Sequence, residues 1–191
     1  MRLFVALDLP GEVREALTAL IAGLKPKSRD ARWVEPRNLH VTLKFIGFID
    51  ASKLQPIQDA LARVHSPQPI VLNFHDLGFF PNERRPRVFW CGVEGSSNLA
   101  ALAADIDSAL APLGIESEKR AYIPHLTLAR LKTDTGADAL VRAAESMKAR
   151  DFGPARETHF HLYESLLKPT GAQYNRLTSF PILSGSAAKA G

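Results

Sequence analysis

The stretch RNLHVTLKFIG, residues 37–47, contains the tetrad His40-Val41-Thr42-Leu43, and AYIPHLTLARL, residues 121–131, contains His125-Leu126-Thr127-Leu128. The chain has 191 residues, 6 of them His and 46% hydrophobic. Such a composition yields only about 0.05 tetrads of this form by chance. In a strand, residues i and i+2 share a face. His40 and Thr42 therefore project together, with Leu39, Val41, Leu43 and Phe45 turned into a core. His125 and Thr127 project together, opposite Leu126 and Leu128. One copy reads as a buried strand with satisfied polar groups. Two copies call for a duplicated chain.

The duplication extends outward from the tetrads at an offset of 85 residues, which pairs Phe4 with Phe89, and RLFVALDL (2–9) with RVFWCGVE (87–94). Val13, Ala16, Leu17, Leu20, Ile21 and Leu24 follow helical spacing after Pro10. Leu99, Leu102, Ala103, Ile106, Leu110 and Leu113 do the same after Ser96 and Ser97, and Gly114 offers a stop. A second helical pattern follows each tetrad, over 52–64 and 137–148. Then come strand-like runs at 69–80 and 155–167, aligned at an offset of 86, which implies one inserted residue near Thr133–Gly136. Strand, helix, strand, helix, strand, written twice, predicts an α+β protein of two lobes related by a pseudo-twofold axis. Residues 1–183 are read as one two-lobed domain, and SGSAAKAG (184–191) as a disordered tail.

No apolar run approaches the ~20 residues of a membrane span. MRLFVALDLPGE, with charges at Asp8 and Glu12, does not read as a signal peptide. The single cysteine, Cys91, lies in the apolar setting RVFWCGV and excludes an internal disulfide and a cysteine metal site. A cytoplasmic protein is expected. The net charge of +4 is mild, but Lys25, Lys27, Arg29 and Arg32 cluster, as do Arg84, Arg85 and Arg87. Those clusters are either solvated loops or a phosphate-attracting rim.

If the axis passes between the tetrad strands, two imidazoles and two hydroxyls face one another across a cleft. Paired imidazoles suit general acid and base catalysis near neutral pH. Hydroxyls beside them are donors for phosphate oxygens. A zinc site would need a third ligand from His65, His75, His159 or His161, none at ligand spacing from the tetrads. His159 and His161 read as structural or surface residues. No G-x-S-x-G elbow and no G-x-x-x-x-G-K-[ST] loop occurs. Lys44 shares the predicted face of His40, whereas alternation points Arg130 away from the cleft unless the strand bends. Phe4 and Phe89 read as inner-strand packing or base-stacking residues, and Trp33 as a capping aromatic or a base platform.

HVTLKFIG and PHLTLAR resemble the paired H-x-T-x motifs of the two-histidine phosphoesterase superfamily. RLFVALDLP, RWVEPRNLHVTLKFIG, PRVFWCGV, IPHLTLAR and LYESLLKPTGAQY resemble its bacterial RNA 2′,3′-cyclic phosphodiesterase branch, also called the 2′-5′ RNA ligase family. The resemblance runs over residues 2–181 and implies an antiparallel sheet with outer helices in each lobe and a central cleft. It implies hydrolysis of an RNA 2′,3′-cyclic phosphate end to a 2′-phosphate without metal or cofactor; a monomer is expected. His40 would be the proton donor, His125 the proton acceptor, and Thr42 and Thr127 the phosphate-binding residues, with Lys44, Arg130, Phe4, Phe89 and Trp33 as further candidate contacts. Related chemistry on a 2′-5′ linked oligonucleotide or a small cyclic phosphate stays open. So does a non-catalytic module that binds RNA ends.

Overall fold

The computed structural model describes residues 1–28, 30–133, 137–168 and 171–183. Two antiparallel sheets and four α-helices make up the α+β fold expected from the sequence. The first half supplies β1 (Arg2–Leu7), α1 (Gly11–Leu24), β2 (Ala31–Trp33), β3 (Val41–Phe48), α2 (Leu54–Leu61) and β4 (Ile70–Phe80). The second supplies β5 (Val88–Gly95), α3 (Asn98–Leu110), β6 (His125–Leu131), α4 (Asp138–Glu145), β7 (Asp151–Glu157), β8 (His159–Lys168) and β9 (Gly171–Pro181). The helices bury the stripes their spacing marks, such as Val13, Leu17, Leu20, Ile21 and Leu24 in α1. Gly114 ends the turn after α3 at a φ of 78°, a left-handed conformation that costs glycine little.

The lobes do not coincide with the half-chains. One sheet runs β3-β1-β8-β9 and the other β2-β6-β5-β4-β7. The fourth strand of each half therefore crosses over: β4 pairs with β5 and β8 with β1. One continuous apolar cluster draws on both sheets and all four helices, so the exchange ties the lobes through a shared core.

Three further readings are corrected. The run 155–167, expected as one strand, is two: β7 pairs with β4, the chain changes sheets around Thr158, and β8 pairs with β1. β2 and β9 are additional strands, with β9 forming a long hairpin with β8. The inner strands are also one residue out of phase with the expected pairing of Phe4 and Phe89. Ala6 stands beside Thr42, whereas Trp90 stands beside Thr127. Because faces alternate, Phe4 lies on the cleft side of β1, while Phe89 belongs to the apolar core. Of the sequence features singled out, Arg29, the tail 184–191 and residues 134–136 lie outside the described residues.

Candidate active site

His40 directly precedes β3 and His125 opens β6. The same local device holds each ring. His40 Nδ1 lies 2.6 Å from the carbonyl oxygen of Asn38, and His125 Nδ1 lies 2.9 Å from that of Ile123. A carbonyl only accepts, so each Nδ1 carries the hydrogen and donates. Each Nε2 is therefore the nitrogen left to exchange protons. Asn38 is itself fixed: its backbone N–H donates to Glu35 at 2.7 Å and its side-chain amide donates to the Ala172 carbonyl at 2.7 Å.

Aromatic rings buttress both imidazoles. The Phe4 ring centroid stands 4.8 Å from that of His40, and Tyr174 meets the same imidazole edge-on at 5.2 Å. Phe80 does likewise for His125 at 5.1 Å. Phe4 is 3% exposed and stacks on Tyr163, so its ring supports His40. Burial pushes the His40 pKa down to about 4; the bond to Asn38 and the Asp8 carboxylate oppose this, while Arg130 and His125 add to it. His125 and Arg130 thus act on His40 across the interlobe cleft. The Cα traces of β3 and β6 approach within 8 Å, and the Tyr122 hydroxyl bridges them by donating to the Thr42 carbonyl at 3.0 Å. Thr42 and Thr127 are both half-buried on the cleft side of their strands.

A bulge one residue beyond each threonine decides which neighbours join the site. In the first sheet Ala6 pairs with Thr42 and Val5 with Lys44, so Leu43 is the extra residue. In the second, Trp90 pairs with Thr127 and Phe89 with Ala129, so Leu128 is the extra residue. A bulge reverses the faces of everything beyond it. Lys44, expected beside His40, turns instead to the helix side. It is only 6% exposed, and its ammonium donates to the Asp107 carboxylate of α3 and, at 2.6 Å, to the Glu116 carbonyl. Phe45, expected in the core, turns out and is 59% exposed. Arg130, which alternation points away, turns toward the cleft and lies opposite Arg32 of β2, where the two cations concentrate positive potential.

Phe89 and Trp33 are not brought to the cleft. Phe89 is buried against Phe79, and Trp33 packs edge-on against Phe89 while its indole N–H donates to the Ser28 carbonyl at 3.5 Å. Arg87, one of the second basic cluster, donates to the Lys132 carbonyl. Cys91 is buried, and that burial pushes its thiol up to about 12.

Asp8, at the end of β1, was not singled out in the sequence. Its carboxylate accepts from the Tyr163 hydroxyl and the Arg176 guanidinium, and it stands 3.8 Å from His161 Nε2. His161 Nδ1 pairs with Ser179 at 2.9 Å, and His159 Nδ1 with Thr158 at 3.0 Å. His65 lines a separate concavity of about 770 Å³ between α2 and α3. His75 shares a cleft of about 500 Å³ with His125. Among the described residues, no three His, Cys, Asp or Glu side chains group as a metal site.

The comparisons with known proteins agree with this architecture. The family described as LigT like phosphoesterase matches residues 7–90 and 93–174. An RNA 2′,3′-cyclic phosphodiesterase of Methanocaldococcus jannaschii is 37% identical over 174 residues, covering 91% of this chain and 96% of the relative. One of Archaeoglobus fulgidus is 36% identical over 181 residues, covering 94% and 99%. A crystal structure of a Thermus thermophilus protein superposes with a TM-score of 0.78 at 31% identity, covering 95% and 98%. Escherichia coli LigT complexed with 3′-AMP superposes with a TM-score of 0.75 at 28% identity, covering 96% and 98%. With its two tetrads set face to face on exchanged sheets, this chain belongs to the LigT-like phosphoesterase family.

Proposed function

We propose that the protein hydrolyses the 2′,3′-cyclic phosphate at the end of an RNA and leaves a 2′-phosphate. The observation that carries this reading is the matched restraint of His40 and His125. Each holds its proton at Nδ1 against a carbonyl two residues earlier, and each leaves Nε2 for the substrate. The substrate is that of the archaeal relatives, and the nucleotide complex of the E. coli protein suits a cleft of this kind.

In the reaction, His125 Nε2 takes a proton from water as the water oxygen forms a bond to phosphorus. The bond from phosphorus to the ribose 3′ oxygen breaks, and His40 Nε2 gives that oxygen a proton. One water is consumed, the ring opens, and the two imidazoles exchange protonation states before resetting through solvent. The Thr42 and Thr127 hydroxyls donate to the non-bridging oxygens, and Arg130 adds positive potential where charge builds.

A donor must first be charged, and in the free protein His40 is neutral because its pKa lies near 4. The substrate supplies the missing field. One negative charge ~4 Å away at an effective dielectric of ~20 favours the imidazolium by about 4 kcal/mol, or about three pKa units. A bound phosphate therefore favours the charged, proton-donating form of His40.

The test is a short RNA ending in a 2′,3′-cyclic phosphate, incubated with the protein in excess EDTA, with the product end identified. The expected product is the 2′-phosphate. His40→Ala and His125→Ala should each lose about 10²–10⁴-fold while remaining folded. A 3′-phosphate product, or full turnover by either variant, would overturn the assignment.

A further inference from the structure

The cleft beside His125 contains more than the reaction needs. It is about 500 Å³ and is lined by Phe80, Trp90, Ile123 and Pro124, with His75, Asp76 and Glu94 at its polar side. Its size falls within the ~300–1,000 Å³ of small-molecule sites. Trp90 lies flat across the sheet because Gly78 permits it: a Cβ at Gly78 would stand 2.3 Å from the indole. Phe80 packs against Trp90 at 5.2 Å between ring centroids and continues to His125. The result is an aromatic surface that leads from the β4–β5 hairpin to the reacting imidazole.

Its polar groups are unusual for a site that handles phosphate. Asp76 and Glu94 flank His75, with Asp76 Oδ2 2.8 Å from Nδ1 and Glu94 Oε2 3.4 Å from Nε2. Both carboxylates are more than half exposed. Among the described residues, the indole N–H of Trp90 is buried without a hydrogen-bond partner. Asp76 occupies a left-handed conformation, φ 61°, at the bulge between His75 and Leu77, which puts its carboxylate at the cleft. Two carboxylates repel an anion, so the phosphate stays with the histidines, the threonines and Arg130. A flat, neutral ligand that presents N–H donors fits instead.

We propose that this cleft is a nucleobase subsite that selects RNA ends whose terminal base carries an exocyclic amino group. The proposal rests on the RNA-end reading above. Adenine, cytosine and guanine each offer an amino group to Asp76 or Glu94 while stacking on Trp90. Uracil has a carbonyl oxygen where cytosine has its amino group, and sets that oxygen against the negative carboxylates, which repel it. Asp76 and Glu94 are thus specificity-determining residues, and Trp90 is the stacking floor.

The test compares kcat/KM on four short RNAs that differ only in the base bearing the cyclic phosphate. The wild type should turn over the uracil end about tenfold or more slowly than the other three. Asp76→Asn keeps a residue that tolerates positive φ, so the bulge is retained. It and Glu94→Gln should bring the four rates within about threefold of one another, reading out lost discrimination rather than lost turnover. Equal rates in the wild type, or a preference that survives both substitutions, would overturn the proposal. The Trp90 indole N–H resonance is followed in parallel during titration with adenosine and with uridine. A shift with adenosine alone is expected, and no shift with either would also overturn the subsite. Absence of turnover on all four RNAs together with an adenosine-specific shift would instead sink the RNA-end reading and leave the base subsite standing.

Discussion

The Nδ1 of His40 stands 2.6 Å from the carbonyl oxygen of Asn38, two residues earlier in the chain, and Asn38 is anchored in turn to β9 through the carbonyl of Ala172. The imidazole is therefore oriented by a backbone carbonyl, and the anchor of that residue comes from the other half-chain. His125 repeats the arrangement with Ile123. The exchange of strands between sheets thus bears on the site: β9, from the second half, supplies one of the two bonds that fix the residue orienting the first histidine.

Both histidines should be found as Nδ1–H tautomers in the free protein at neutral pH. Long-range ¹H–¹⁵N correlation spectra of the imidazoles read this directly. An Nε2–H tautomer at either position would mean that the reacting nitrogen is the wrong one. Asn38→Ala removes the tie to Ala172 while keeping the backbone carbonyl, and should destabilise by about 1 kcal/mol.

The lowered pKa of His40 also makes a stability prediction. The unfolded chain binds this proton near pH 6.5, while the folded protein holds it off until about pH 4. Between those values the unfolded state carries more protons, so stability is full above pH 6.5 and is lost as pH falls through the window. The loss from this residue is at most about 3 kcal/mol, and nearer 2 because the ring keeps some contact with water. Urea denaturation at pH 7 and pH 4.5 should show His40→Gln losing less stability than the wild type on acidification. Parallel losses in the two proteins would show that His40 titrates normally.

Much of this molecule is readable from its residues, because 3.6-residue spacing marks the four helices and the repeated tetrads mark the two site strands. Two features are not. A bulge inverts the face of each residue beyond it, and nothing in VTLKF or LTLAR separates a regular strand from a bulged one. The fates of Lys44, Phe45 and Arg130 follow from that one extra residue in each strand. Sheet exchange is equally silent, since β4 and β8 have the same apolar alternation whichever sheet they join. Asp8 and Asn38 gain their meaning only from partners more than 100 residues away, Arg176 and Ala172.

Lys44 tests the bulge. Its ammonium is enclosed and bonded to Asp107; partial burial works the other way, but Lys44 holds the Asp107 carboxyl below its ordinary range. Lys44→Met leaves Asp107 without its cation and should cost about 1–3 kcal/mol in chemical denaturation. Turnover on cyclic-phosphate RNA should change less than about threefold, because the side chain points to α3. Arg130→Met should do the reverse, with little loss of stability and a fall in kcat/KM of about tenfold or more. A large activity loss in Lys44→Met with unchanged stability would return Lys44 to the cleft.

Asp8 and Arg130 pull His40 in opposite directions, the carboxylate favouring the imidazolium and the guanidinium opposing it. Asp8→Asn should therefore lower the His40 pKa further, and Arg130→Met should raise it. The carbon-bound proton of the imidazole, followed by NMR from pH 3 to 8, reports both shifts on one residue. Asp8 also accepts from Tyr163, whose ring stacks on Phe4 beneath His40, so its replacement loosens the packing that desolvates the imidazole. Loosening alone would raise the pKa by readmitting water. The sign for Asp8→Asn thus separates the two effects: a fall means that the carboxylate acts on His40 through its field, and a rise means that it acts through the aromatic stack.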